Sequence, residues 1–287
     1  MRVLLSALML ALSLLTAARA EAPPAKFEIP NSEVHTIQSE ILGRTYHLYI
    51  KKPSGYERPE NSDQRYPVIY LNDGPYTFQV ASGVTRLPMN AGEFEKAILV
   101  GVSFAKGEKP QASRTRDLTP SVDEDWALAT GGAAEYFQFL KSEAIPFVEN
   151  NFRADPKRRV LSGQSFGGLF GAWVLLTEPE AFHAYILTSP SLWFDEKFML
   201  DMEQAYASKH DDLNATVFLA TGEHETPISE TRMDLVGDQA VFAARLRSRN
   251  YPGLTLRDEI VPNGLHETTF PVGFIRAMQW LFHVHDE

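Results

Sequence analysis

The stretch from Arg158 to Trp173 constrains this chain more than any other. A short apolar run, Val160-Leu161, leads into Gly163-Gln164-Ser165-Phe166-Gly167, and an apolar segment rich in small residues follows at once. That order predicts a strand, a sharp turn and a helix, with a serine at the tip. Glycines at 163 and 167 let strand and helix pack closely around a strained turn. Such a turn lifts the serine hydroxyl clear of the sheet and aims the first N–H groups of the helix at whatever it attacks. An ordinary turn with Ser165 capping the helix has the same local pattern, so a base and an acid must be found elsewhere.

The first 20 residues predict a removable export signal. Arg2 supplies the positive start, Val3 to Leu15 the apolar run and Ala18-Arg19-Ala20 the small-x-small cleavage site. The run is too short for a membrane span, so no membrane insertion is expected and the mature chain should begin near Glu21, most simply in a periplasm. The chain has no cysteine, which rules out disulfides and thiolate metal sites. Stability must then come from a core, and residues 21–287 suffice for one α/β domain. Net charge is −10, and removing Arg2 and Arg19 makes it −12. That acidity argues against a nucleic-acid partner.

Val34 to Leu42 and Arg44 to Lys51 alternate apolar and polar residues and predict an antiparallel hairpin at a sheet edge. Pro67 to Leu71 and Ala97 to Val102 are continuous apolar runs, expected as strands buried on both faces. Between them, Gly92 to Lys96 suits a short helix. Lys106 to Asp125 is a long polar segment, and Gly132 to Asn151 a helix that Pro146 interrupts. Strands are expected at Ala184 to Leu187, Ala215 to Thr221 and Leu254 to Val261. Helices are expected at Lys197 to Ser208, Gly237 to Ser248 and Val272 to Phe282. Buried strands alternating with helices predict a mostly parallel sheet with helices on both faces.

In such a sheet, functional groups gather at the carboxyl ends of the strands. Two of the eight histidines meet that condition, His224 and His266. His266 follows the last strand after Asn263-Gly264. Glu223 and Glu225 both follow the strand ending at Thr221, so either can supply the acid. Serine, then glutamate, then histidine is the chain order that this architecture uses. The chemistry needs all three, because a serine hydroxyl attacks poorly until an imidazole takes its proton. A carboxylate then fixes the imidazole tautomer and stabilises its charged form.

With these residues in place, the chain resembles the esterase group of the α/β-hydrolases that holds siderophore trilactone esterases, feruloyl and acetylxylan esterases and S-formylglutathione hydrolases. Tyr70-Leu71-Asn72-Asp73-Gly74 is similar to that group's oxyanion loop. Arg114-Thr115-Arg116-Asp117-Leu118-Thr119-Pro120 and Ser189-Pro190-Ser191-Leu192-Trp193 resemble segments of the siderophore (enterochelin-type) branch. The resemblance implies an α/β-hydrolase fold and an exported serine esterase for small ester substrates, with no metal or organic cofactor. It implies Ser165 as nucleophile, His266 as base and Glu225 as acid, with Glu223 the alternative. The oxyanion hole would use the N–H of Phe166 and that of Gly74 or Tyr76, since Pro75 has none. Arg114 and Arg116 either bind an anionic or aromatic substrate group or pair with Asp117 or the run Asp123-Glu124-Asp125. Trp193 and Phe194 either line an acyl pocket or pack as core. A catecholate trilactone is the leading substrate. Carbohydrate acetyl or feruloyl esters, acyl transfer, and a non-catalytic binder of acylated ligands are the competing readings.

Overall fold

The computed structural model describes residues 24, 26–229 and 233–284. The expected export signal, 1–20, lies outside the described residues. Eight strands form one sheet in the order β1-β2-β4-β3-β5-β6-β7-β8. β1 (Ser32–Gln38), β2 (Thr45–Lys51) and β4 (Ile98–Val102) pair antiparallel in that order. β4, β3 (Tyr66–Leu71), β5 (Ala154–Gln164), β6 (Ala184–Thr188), β7 (Ala215–Gly222) and β8 (Leu254–Val261) run parallel. This is an α/β-hydrolase sheet with an antiparallel N-terminal edge.

Alternation along the strands divides the core into two layers. Val68 and Tyr70 of β3 pack with Phe137, Leu169 and Phe170 on one face, whereas Ile69 and Leu71 pack with Phe78, Phe270 and Phe274 on the other. Every residue of β3, β4 and β6 is buried, as expected of continuous apolar runs covered on both sides. β2 alternates buried with half-buried positions, as an edge hairpin should.

Three helical segments depart from the sequence expectation. The short helix at Gly92 to Lys96 is absent. An 18-residue helix, α1 (Gly74–Ala91), fills the space before it, and Phe94 instead bridges to His283. The inner face of α1 carries Thr77, Phe78, Ala81, Ser82 and Thr85, too polar to show an apolar stripe, and Pro88 suggests a break. The polar segment Lys106 to Asp125 contains α2 (Pro110–Leu118), which starts at a proline and buries Ser113, Thr115 and Asp117. Hydrogen bonds hold the buried Ser113 and Asp117, and Leu118 alone of this helix joins the apolar core.

The predicted Pro146 interruption takes the form of a π-helical turn, Leu140–Ala144, between α3 (Ala133–Phe139) and α4 (Ile145–Asn151). α5 (Phe166–Thr177) leaves the elbow, α6 (Phe194–Ala207) follows β6, and α7 (Leu235–Ser248) joins β7 to β8. The closing helix, α8 (His266–Phe282), begins six residues before the expected start, across Pro271. That extension puts His266 at the first position of a helix.

Candidate active site

Ser165 has φ 58° and ψ −118°, a conformation that favours glycine. The surrounding backbone holds it there. Its N–H donates to the Thr188 carbonyl at 3.0 Å, and its own carbonyl accepts from the N–H groups of Leu169 at 2.9 Å and Ser191 at 3.2 Å. The strand and helix are close enough that a Cβ on Gly163 would lie 2.2 Å from the Gly167 carbonyl oxygen.

A second close approach assembles the far side. A Cβ on Gly222 would meet the Gly264 carbonyl oxygen at 2.5 Å, so the loop after β7 lies directly on the turn after β8. The His224 N–H donates to the Gly264 carbonyl at 3.0 Å, and the Glu223 N–H to that of Val261 at 3.0 Å. Glu225 and His266 thereby become neighbours: His266 Nδ1 is 2.6 Å from Glu225 Oε2. The other carboxylate oxygen of Glu225 accepts from Ser189 Oγ at 2.6 Å, the Gly222 N–H at 2.7 Å and Thr269 Oγ1 at 2.8 Å. Gln164, inside the elbow, donates its amide to the His266 carbonyl.

Glu225 is fully buried. Burial pushes its pKa up, but hydrogen bonds from His266, Ser189, Gly222 and Thr269 outweigh it and the net direction is down. For His266 the hydrogen bond to Glu225 raises the pKa, burial opposes it, and the net direction is up from 6.5. Glu223 is exposed and accepts the Asn263 N–H at 2.8 Å, which ties the turn before His266 rather than the imidazole.

Ser165 and His266 line one open cleft of about 350 Å³, together with Asp73, Tyr76, Phe104 and Arg114. Phe166 and Gly74 each stand at the first position of a helix, where no intrahelical carbonyl reaches the N–H. Tyr76 differs from expectation. Its N–H donates to the Asp73 carbonyl at 3.0 Å, so its backbone is spent and only its ring and hydroxyl face the cleft.

The two arginines separate. Arg114 lines the cleft and grips Asp73 through Nε at 2.9 Å and Nη2 at 3.0 Å, a partner the sequence reading missed. Its guanidinium also lies over the Phe166 ring, 5.3 Å from the centroid. Arg116 is not among the described residues lining the cleft. It binds Asp117 at 2.8 Å and Glu108 at 2.6 Å, and Asp117 also accepts the Tyr46 hydroxyl. Residues two apart on a helix are turned about 200° from each other, so only one of the pair reaches the cleft. Trp193 is half-buried and packs against Trp126 at 5.9 Å and Phe166 at 6.2 Å, while Phe194 is fully buried beside them. Trp126 lies just past the polar segment Lys106 to Asp125, and the sequence reading gave it no role. No group of three or more His, Asp or Glu able to hold a metal occurs among the described residues.

Chemically, this arrangement can present a hydroxyl, a tautomer-fixed imidazole and two helix-start N–H groups to one bound ester. Residues 39–280 match the family model described as Putative esterase. The chain belongs to that family. It is a carboxylic ester hydrolase. The esterase is 32% identical over 277 residues to the ferri-bacillibactin esterase BesA of Bacillus subtilis, covering 90% of this chain and 91% of that one. It is 28% identical over 187 residues to the siderophore triacetylfusarinine C esterase of Aspergillus fumigatus, covering 64% and 63%. The crystal structure of the BES protein from Bacillus cereus superposes with a TM-score of 0.78 at 27% identity, covering 92% of the esterase and 99% of that chain.

Proposed function

We propose that this protein is an exported serine esterase that opens the ester bonds of a siderophore, with a catecholate trilactone as its substrate. The carrying observation is that strained Ser165 lines one cleft with His266, whose Nδ1 rests on buried Glu225. His266 takes the Ser165 proton on its other nitrogen as Oγ attacks the ester carbonyl, and the oxyanion faces the N–H groups of Phe166 and Gly74. The alkoxide leaves with the proton from His266. Water, deprotonated by the same imidazole, then frees the acyl group and restores Ser165.

Two relatives named for siderophore ester cleavage support the substrate class. The half-exposed faces of Trp126 and Trp193 beside Phe166 suit flat aromatic acyl groups. The leader 1–20 supports export, and no helix among the described residues is long and apolar enough to cross a membrane.

The test is a chromatographic time course of a catecholate trilactone, free and iron-loaded, with wild type and Ser165→Ala. Linear or monomeric products are expected from wild type, with a loss of at least about 10³-fold in the variant. An intact trilactone while a simple aryl ester is still cleaved would remove the siderophore and leave the esterase. Comparable turnover by Ser165→Ala would remove the serine.

A further inference from the structure

The Ser165 oxygen has a second hydroxyl beside it. Ser191 Oγ lies 3.3 Å from Ser165 Oγ, and among the described residues this is the only hydrogen-bond partner of the Ser191 side chain. Ser191 is 1% exposed, so its side chain is closed off from bulk solvent. Nor is the contact a chance meeting of mobile side chains. Backbone hydrogen bonds from Ser165 to Thr188 and from Ser191 to Ser165 lock the two residues together. Ser189 sits between them with φ 42°, its N–H 2.6 Å from the Ala220 carbonyl and its hydroxyl on Glu225. The loop after β6 thus holds the acid with one serine and faces the nucleophile with the next but one.

We propose that Ser191 is an auxiliary catalytic residue that hydrogen-bonds Ser165 Oγ and selectively assists deacylation; this rests on the serine reading above. Ser165 gives its proton to His266, so Ser191 is the donor. In the free enzyme Oγ is an alcohol oxygen and accepts that bond well. In the acyl-enzyme it is an ester oxygen, whose lone pair is delocalised into the carbonyl, and the bond is nearly lost.

Acylation therefore starts and passes its transition state with the bond in place and gains little. Deacylation starts without it. Water adds to the acyl carbon, the carbon–Oγ bond breaks with its electron pair going to Oγ, and His266 returns a proton to that oxygen. Ser191 keeps its own proton throughout, and its donation strengthens as charge gathers on Oγ. An interaction present in the transition state and absent from the ground state accelerates that step.

The experiment separates the two steps in wild type, Ser191→Ala and Ser191→Cys, using p-nitrophenyl trimethylacetate. Acylation is read from nitrophenolate release in single turnover, and deacylation from the decay of acylated Ser165 by intact mass. In Ser191→Ala, deacylation is expected to slow about tenfold, the worth of a hydrogen bond to a developing charge, while acylation changes less than about threefold. Ser191→Cys, similar in size with a weaker donor, should fall between. Equal slowing of both steps, no slowing, or a cysteine variant no faster than alanine would overturn the proposal. Those results would leave the serine mechanism standing. Absence of any acyl adduct on Ser165 in wild type would overturn that mechanism and this proposal with it.

Discussion

Arg114 holds Asp73 by a two-pronged ion pair, and through it joins the start of α1 to the elbow. Asp73 is in the left-handed region at φ 54° and stands just before the helix that begins with Gly74, while the guanidinium lies over the Phe166 ring. Phe166 and the residue before Gly74 are thereby tied to one side chain, Phe166 and Gly74 being the two proposed oxyanion donors. Arg114→Ala would strand a carboxylate whose side chain is only 10% exposed, beside the proposed oxyanion hole. Turnover should fall at least about tenfold, with a lower melting temperature. Lysine should not restore it, because it lacks the planar fork. The double variant Arg114→Ala, Asp73→Asn should melt above the single one, since the stranded charge is gone. Thermal denaturation and steady-state kinetics on all four proteins check this.

The ion pair of Glu225 and His266 separates the pH of greatest activity from that of greatest support to the fold. His266 must be neutral to take a proton, and its pKa is raised by Glu225. The acid limb of kcat/KM should therefore have its midpoint above 6.5, and Glu225→Gln should move it down. For stability the signs differ. The contribution of His266, whose folded pKa is raised, is complete below 6.5 and is lost as pH rises through the folded value. That of Glu225, whose folded pKa is depressed, is present above 4.5 and is lost as pH falls through the folded value. The melting-temperature gap between wild type and Glu225→Gln should be widest between 4.5 and 6.5. A gap that grows above that window contradicts the assignment.

Glu223 and Glu225 are two residues apart, and exchanging each for glutamine should separate them sharply. Glu225→Gln places an amide against three donors that now meet a carboxylate oxygen, and it no longer favours the imidazole tautomer with its proton on Nδ1. A fall in kcat of at least about 100-fold is expected. Glu223→Gln keeps an acceptor for the Asn263 N–H at an exposed site, so kcat should stay within about twofold and stability within about 0.5 kcal/mol.

The same pair shows where sequence reading stops. Strands such as β3 and β6 are legible because every position is buried, and Ser165 and His266 because each stands just past a strand end. Which glutamate turns inward depends on how the β7 loop lies on the Gly264 turn, a contact between segments some 40 residues apart that no local pattern records. Arg114 and Asp73 are likewise 41 positions apart. α2 escaped because three of its four buried residues are Ser113, Thr115 and Asp117, polar groups with partners such as Tyr46. Hydrophobic periodicity records burial of carbon, and much of this site is built from buried polar groups.

Gly163 and Gly83 give the last prediction, because alanine at the two should act in opposite directions. At Gly163 the added Cβ would lie 2.2 Å from the Gly167 carbonyl oxygen and 2.3 Å from its carbon. Both are backbone, at the first turn of α5, so relief requires strand and helix to separate and Ser165 to leave its φ of 58°. Gly163→Ala should cost about 3 kcal/mol or more and lose activity even where the protein is still folded. Gly83 lies inside α1, where a Cβ meets nothing within 4 Å. Gly83→Ala should stabilise by about 0.5–1 kcal/mol, by restricting the unfolded chain, and leave kcat unchanged. Urea unfolding of both variants, read with their esterase activity before the transition, checks the contrast. A tolerated Gly163→Ala would mean that the elbow is not clamped by this contact.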